Sequence, residues 1–438
     1  MGDRASSLTR LYERLTGDED SRLCKDIPDA ACHEQPGNFF RHLLASLGNK
    51  LADELSSARL VLPWLMGALG APIWMVGLLV PIREAGALLP QVFVAGYIRL
   101  KSIRKGVWVT GGVIQALAAL VMAVMALFGQ GAWGGALVLA ALVVLSLGRG
   151  LSSIATKDVL GKTISKQRRG TLMGWSGSAA GAVTLAIGAV LMLFGDRPGQ
   201  LALAILLLIA TLGWAINALC AARIKEEPGA TQGGQSIWGS LAEGMRLLRH
   251  DRHFLHFNLA RALLLSSALA LPYIALLGQE QSGANLGGLG IMILVSGLAG
   301  MLASPLWGKL ADRSSRKVMR DSAVLATLCC LVAASFSWLP GTWTQSIWPY
   351  ALVYAVLVIA HAGVRLGRKT YVVDMAGSDK RALYVALSNT FTGLLMLVAG
   401  GLLGGVAHFL GSGGLLLVLA LCALGAAASS QRLPEVEQ

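Results

Sequence analysis

The sequence predicts an all-α polytopic membrane protein, with twelve transmembrane helices in two pseudo-symmetric six-helix bundles. Three observations predict it. Of 438 residues 55% are hydrophobic and only 14% charged, 53 are Gly, and the mean hydropathy is +0.62. Apolar runs of eighteen or more residues recur along the whole chain, and each must close its backbone hydrogen bonds internally, as a helix does. The third is a duplicated basic link. Gly308-Lys309-Leu310-Ala311-Asp312-Arg313-Ser314-Ser315-Arg316-Lys317 lies between two apolar runs, and Gly96 to Lys105 repeats its place in the first half, with Gly96/Gly308, Ser102/Ser314, Arg104/Arg316 and Lys105/Lys317 in register.

Taken in order, residues 1–50 form a polar N-terminal tail and an amphipathic approach helix that starts near Phe39 and lies on the inner membrane surface. The tail lacks the basic-then-apolar order of a signal peptide. Apolar spans follow at 51–71, 73–98, 107–128, 134–156, 170–195 and 200–222, which make the N-terminal bundle, 51–222. Gly70-Ala71-Pro72 is a tight turn between the first two. A polar linker, 223–253, leads to the C-terminal bundle, 254–430, with spans at 254–278, 285–308, 318–339, 346–367, 382–409 and 411–430, and a short tail, 431–438. Loops 99–105, 157–169, 223–252, 309–320 and 365–381 hold nearly all the loop Lys and Arg, against Arg197 on the other side, which places both termini in the cytosol. The duplication extends to Ser56-Ser57-Ala58 before Pro63 and Ser266-Ser267-Ala268 before Pro272, and to Gly150/Gly363 and Arg168/Arg381.

The pattern G-x-x-x-D-x-x-x-R-[KR] between two membrane helices resembles the signature loop of the major facilitator superfamily. The resemblance covers about 50–430 and implies two bundles that alternate access to a midplane cavity, in the plasma membrane or a bacterial inner membrane. It makes Gly96, Arg104, Lys105, Gly308, Asp312, Arg316 and Lys317 gating-loop residues, with Asp312 placed to cap a neighbouring helix. Leu100 stands where the first copy should carry the acid, which weakens that loop. Either loop also reads as a plain positive-inside turn. Leu145-Ser146-Leu147-Gly148-Arg149-Gly150 half-matches the family's l-x-x-x-R-x-x-q-G motif, which implies a proton-coupling role for Arg149, with Ser152 and Ser153 in the Gln-Gly places; a positive-inside charge is the alternative. Gly170, Gly174, Gly177, Gly181 and Gly188 resemble the glycine-lined fifth helix of the family's exporters but lack its Gly-Pro pair, and close helix packing explains them equally.

Charged groups inside a bilayer are costly, so each is a site candidate. At 1.5 Å per residue Arg59 lies about 12 Å from the cytosolic end of its span, and Arg83 and Glu84 lie about 15–17 Å from the outer end of theirs. All three share the midplane. Glu84 is expected to pair with Arg59, leaving Arg83 as an unpaired cation facing the cavity and suiting an anionic or zwitterionic solute. A structural ion pair locking two helices is the other reading. Arg261 and His361 fall about 10 Å from the cytosolic face, where His361 is either a titrating group or a packing histidine. Trp64, Trp74, Trp108, Trp175 and Trp214 read as membrane-interface anchors.

These readings converge on a secondary transporter: a small organic solute, protons as the coupling ion, export favoured over import, anionic lipid head groups at the cytosolic loops, and a monomer. No cofactor, metal or nucleic-acid partner is expected. The six cysteines form no disulfide framework, and the cluster Cys24, Cys32 and His33 is too sparse for zinc. No nucleotide-binding loop and no convergent nucleophile, base or metal set is visible, which argues against an ATP-driven pump or an enzyme. A lipid or lysolipid translocator on the same fold and a non-transporting receptor or scaffold are the rivals. A lateral opening lined by basic residues would favour the first.

Overall fold

The computed structural model describes residues 12–13, 27–90, 97–98, 100–193, 199–229, 251–283, 285–311, 313–339, 341–375 and 381–436. Gly96 and Asp312 lie outside them. The helices are α1 (Asp29–Leu55), α2 (Val61–Leu69), α3 (Ile73–Leu88), α4 (Lys105–Phe128), α5 (Gly131–Thr163), α6 (Lys166–Leu193), α7 (Gln200–Arg223), α8 (Arg252–Leu263), α9 (Ser266–Ser282), α10 (Leu286–Ala311), α11 (Ser315–Ser335), α12 (Trp348–Met375) and α13 (Arg381–Gln431). Among the described residues nine helices are long and apolar enough to cross a membrane. The last divides at Gly411, whose φ of 69° only glycine adopts without strain, so α13 holds both of the spans expected at 382–409 and 411–430. Gly70, with φ 67°, ends α2 in the same way, and its amide and that of Ala71 close on the carbonyls of Gly67 and Met66.

The repeated serines mark a repeated break. Ser56 donates to the Ala52 carbonyl at 2.8 Å and Ser267 to the Leu264 carbonyl at 2.9 Å, competing with the backbone ladder where α1 gives way to α2 and α8 to α9. Pro63 then supplies no N–H for the carbonyl of Arg59, four residues back. That freed carbonyl accepts the Tyr354 hydroxyl of α12 at 3.2 Å, a bond from one half to the other. The chain thus interrupts two helices where they line a cavity, the setting in which a membrane tolerates irregular backbone.

Within the first half α4 packs on α5 and α7, α1 on α6 and α7, and α3 on α5; within the second α11 packs on α12 and α13, and α10 on α12. Four helix pairs carry most of the contact between the halves: α3 with α13, α6 with α10, and α9 with α2 and with α3. The α3–α13 contact runs from Leu89 and Gly393 to Trp74 and Gly404, and the pairs made by α9 lie at the end away from the basic loops. There Gln279 donates to the Trp64 carbonyl at 2.9 Å, and glycines let backbones meet. A Cβ on Gly404 would stand 2.7 Å from the Trp74 carbonyl oxygen. The halves are sealed at that end, and the cavity between them reaches the basic one.

Three expectations need correction. The approach helix is not a separate surface element, because α1 runs unbroken from Asp29 and buries Asn38, Phe39, His42 and Ala45. Its Gly48 lies so close to α7 that a Cβ would stand 2.5 Å from the Gly213 carbonyl oxygen. Trp64, Trp108 and Trp214 are not interface anchors but buried core residues, their indoles fitting between small side chains; Trp108 donates to Asn217 at 3.1 Å and Trp214 to Asn49 at 3.2 Å. The cysteine spacing suggests no disulfide framework, yet Cys32 is in a disulfide.

Candidate functional site

The cavity has two joined chambers. One, of about 660 Å³, lies against α1, α3, α5, α8, α12 and α13; the other, of about 560 Å³, lies between α1, α6, α9, α10 and α12. Glu54, Ser57, Arg59 and Arg365 border both. The larger chamber carries Asp53, Glu54 and Glu84 against Arg59, Arg83, Arg149, Lys157, Arg261, Arg365, Arg368 and Lys369, a surplus of positive charge.

The N-terminal wall is internally neutralised. Arg59 donates to Glu84 at 2.8 Å, the pairing that helix depth suggests. Arg83 is not the unpaired cation expected. Its guanidinium forms an ion pair with Asp53, and Arg149 reaches the same carboxylate oxygen at 2.5 Å. Asp53 therefore bridges α3 and α5 from the end of α1. Sequence reasoning missed it because Asp53 stands at the start of the expected span 51–71, short of the midplane where Arg59, Arg83 and Glu84 fall. Its signal was the adjacent acid pair Asp53-Glu54 one turn ahead of the serine break. Glu54 is exposed to the cavity and, among the described residues, makes no ion pair.

The C-terminal wall is built differently. Arg261 on α8 donates to Ser388 at 2.5 Å and to Asn389 at 2.8 Å, neutral acceptors both. Ser388 in turn donates to Asn258, which orients the pair. Arg365, Arg368 and Lys369 project from α12 with no carboxylate in ion-pair range among the described residues. They looked like loop charges because the apolar run ends near 367, but α12 continues to Met375 along the water-filled cavity, where charged side chains remain solvated. His361 is 5% exposed, and its Nδ1 lies 3.1 Å from the Ser267 hydroxyl. That hydroxyl already donates to Leu264, so the ring donates through Nδ1 and its Nε2 carries the free lone pair. Among the buried polar atoms without a partner are Arg83 Nη1, Arg261 Nε, Arg368 Nε and His361 Nε2, all from cavity-lining residues.

At the basic end the loop residues take up paired contacts. Arg104 binds Asp158 at 2.5 Å, and the amides of Arg104 and Lys105, at the N-terminus of α4, converge on the carboxylate of Glu226, which also holds Lys162 at 2.9 Å. The acid missing at Leu100 is thus supplied by the linker. In the second half Arg316 binds Glu435 at 2.6 Å, and Ser314, whose hydroxyl accepts the Lys317 amide to cap α11, also bonds Glu435. A glutamate just beyond the last helix of each half secures that half's loop. Gly308 faces open space. Asp251 caps α8 through the Phe254 amide at 3.0 Å and accepts the Tyr384 hydroxyl at 2.7 Å. Burial opposes its charge, but these hydrogen bonds hold its carboxyl below the ordinary value.

The sequence profile of the Major Facilitator Superfamily matches residues 43–400 and 262–435. Curated relatives include uncharacterized proteins of Mycobacterium tuberculosis and Mycobacterium bovis, each 24% identical over 397 residues, covering 89% of this chain and 74% of theirs. Among solved structures, a variant of the nucleoside transporter NupG superposes with a TM-score of 0.71 at 14% identity, over 90% of this chain and 99% of its own. The xylose transporter XylE of E. coli, inward open, gives 0.65 at 12% over 91% and 97%. A bacterial homologue of the iron transporter ferroportin, inward-facing, gives 0.64 at 15% over 91% and 98%. At these identities the likeness shows the fold.

Proposed function

The chain belongs to the Major Facilitator Superfamily, and from that premise we propose that it moves a small organic anion across the membrane by alternating access between its two halves. One observation carries the reading: among the described residues the C-terminal wall presents Arg365, Arg368 and Lys369 without carboxylate partners, and Arg261 and Arg368 keep buried N–H groups that bond none of them. A buried donor left unsatisfied is costly, and an anion in the cavity would satisfy several at once, each through a charge-assisted bond. A neutral solute would leave that charge uncompensated. The positive-inside count puts both termini in the cytosol, so the cavity, open at the basic end, is the inward-facing one.

Proton linkage follows from two groups at the junction of the chambers. An anion arriving beside Glu54 is repelled unless that carboxylate is protonated, and His361 can take a proton at Nε2 and become a second donor. In this scheme Arg149 acts through Asp53, anchoring the N-terminal wall. The glycine-lined α6 favours export, and Arg316, Lys317, Arg104 and Lys105 tie down the loops between which the halves rock, with Asp312 as the capping acid.

The test is uptake by purified protein in proteoliposomes, using monocarboxylates, dicarboxylates, organic phosphates, zwitterionic amino acids and neutral sugars, each with and without an imposed pH gradient. We expect saturable transport of one of the anionic classes, driven by the gradient, and loss of that drive in Glu54→Gln. Transport confined to neutral solutes would refute the anion reading.

A further inference from the structure

The smaller chamber has a shape that a water-soluble anion does not require. Helices α6 and α10 touch toward the sealed end, where a Cβ on Gly290 would stand 2.7 Å from the Gly188 carbonyl oxygen, and again where one on Gly297 would stand 2.9 Å from the Leu185 side chain. Toward the basic end they diverge, and a Cβ on Gly181 or Gly300 would meet nothing within 4 Å. Both glycines line the chamber. Beside this gap Met301, which lines the chamber, and Leu302 are 61% and 66% exposed. The gap is a slot floored by glycine and walled by apolar side chains such as Ile293 and Val358. Its inner end is polar. His361 borders it with Nε2 unpartnered, and Arg59 and Arg365 stand where it meets the cationic chamber. At its rim the Lys50 ammonium donates to Ser176 and to the Met173 carbonyl, each at 2.9 Å.

We propose that the two chambers receive the two ends of one molecule, a single-chain anionic amphiphile: its phosphate or carboxylate head on Arg365 and Arg368, a hydroxyl of its linker donating to His361 Nε2, and its acyl chain along the slot between α6 and α10. This rests on the anion reading above and narrows it. The slot gives the chain an entry from the bilayer without crossing water, and the glycines keep the slot wide enough to hold it. The head chamber supplies the cations, and Lys50 adds one at the level of the membrane surface.

The probe is tritiated 1-oleoyl lysophosphatidate, bound to full-length protein in phosphatidylcholine nanodiscs with binding to empty discs subtracted, in competition with glycerol 3-phosphate and monooleoylglycerol. The lysophosphatidate should bind at least about tenfold more tightly than either fragment, and Gly181→Leu and Gly300→Leu should each remove most of that advantage. If glycerol 3-phosphate binds as tightly as the lysophosphatidate, the slot is not used and the anion reading stands alone. If monooleoylglycerol binds as tightly, the cationic chamber is not the head site and the proposal is overturned. If neither anion binds in a manner that Arg368→Gln weakens, the anion reading fails with it. Should the leucine variants misfold, a lysophosphatidate carrying a diazirine at its chain end decides the matter on the unaltered protein. Adducts confined to 173–185 and 296–302 are expected, and adducts spread over the membrane-facing surface would overturn the proposal.

Discussion

The two walls of the cavity hold their charges in different ways. On the N-terminal wall each arginine has a carboxylate: Arg59 has Glu84, and Arg83 and Arg149 share Asp53. On the C-terminal wall, among the described residues, Arg261 bonds a serine and an asparagine, and Arg365, Arg368 and Lys369 reach into the cavity without a carboxylate partner. A buried pair contributes little net stability but is strongly destabilising when one partner is removed, whereas a cation bordering water can be neutralised with little effect on the fold. On the function proposed above, the difference gives structure to one wall and ligand attraction to the other.

The largest effect should come from breaking the shared carboxylate. Asp53→Asn strands Arg83, 8% exposed, and should cost about 3–5 kcal/mol, read as loss of monodisperse protein on size exclusion. Adding Arg83→Gln to it should restore part of the yield; a normal melting curve for Asp53→Asn alone would remove the distinction between the walls. Next comes Arg368→Gln. It should leave yield and melting unchanged yet weaken anion binding by about 10- to 100-fold, the equivalent of one charge-assisted hydrogen bond of about 1.5–3 kcal/mol.

Smaller effects sharpen the comparison at the loops. Glu226→Gln keeps the shape of the linker acid but removes the charge that gathers the α4 amides and Lys162, so stability should fall by about 1–3 kcal/mol. Thermal unfolding in detergent measures it, and no shift would mean that solvent satisfies those amides equally well. Asp251→Ala removes the α8 cap and should cost about 1 kcal/mol. Its carboxyl has a lowered folded-state value, so its contribution is present above the unfolded carboxylate range and is lost as pH falls through the folded one. The alanine variant should accordingly show a shallower loss of stability below about pH 4 than the parent.

Much of this arrangement was legible in the sequence, and the misses share a cause. The basic loops at an offset of 212 residues, the serines before Pro63 and Pro272, and the matched depths of Arg59 and Glu84 point to two halves, to the helix breaks and to one ion pair. Arg368 and Lys369 escaped because hydropathy ends a span where charge begins, whereas a helix bordering an aqueous cavity carries charge and continues; Asp53 escaped because it lies at the start of its span, short of the midplane. Glu226 escaped because nothing local links a residue of the linker to a loop 122 positions earlier. Trp64 and Trp214 misled because tryptophan near the end of an apolar run is as readily core as interface once neighbouring helices cover it.

The measurement that bears most directly on the division of labour is transport of one anion by two doubly substituted proteins. Arg365→Gln with Arg368→Gln empties the C-terminal wall of two cations, while Arg59→Met with Glu84→Met removes an ion pair and leaves net charge unchanged. The account predicts that the first protein, expressed at parental levels, loses saturable anion uptake in proteoliposomes and that the second retains it with KM within a few-fold of the parent. Retained uptake in the first, together with its loss in a well-folded second, would contradict the account and move the anion site to the N-terminal wall.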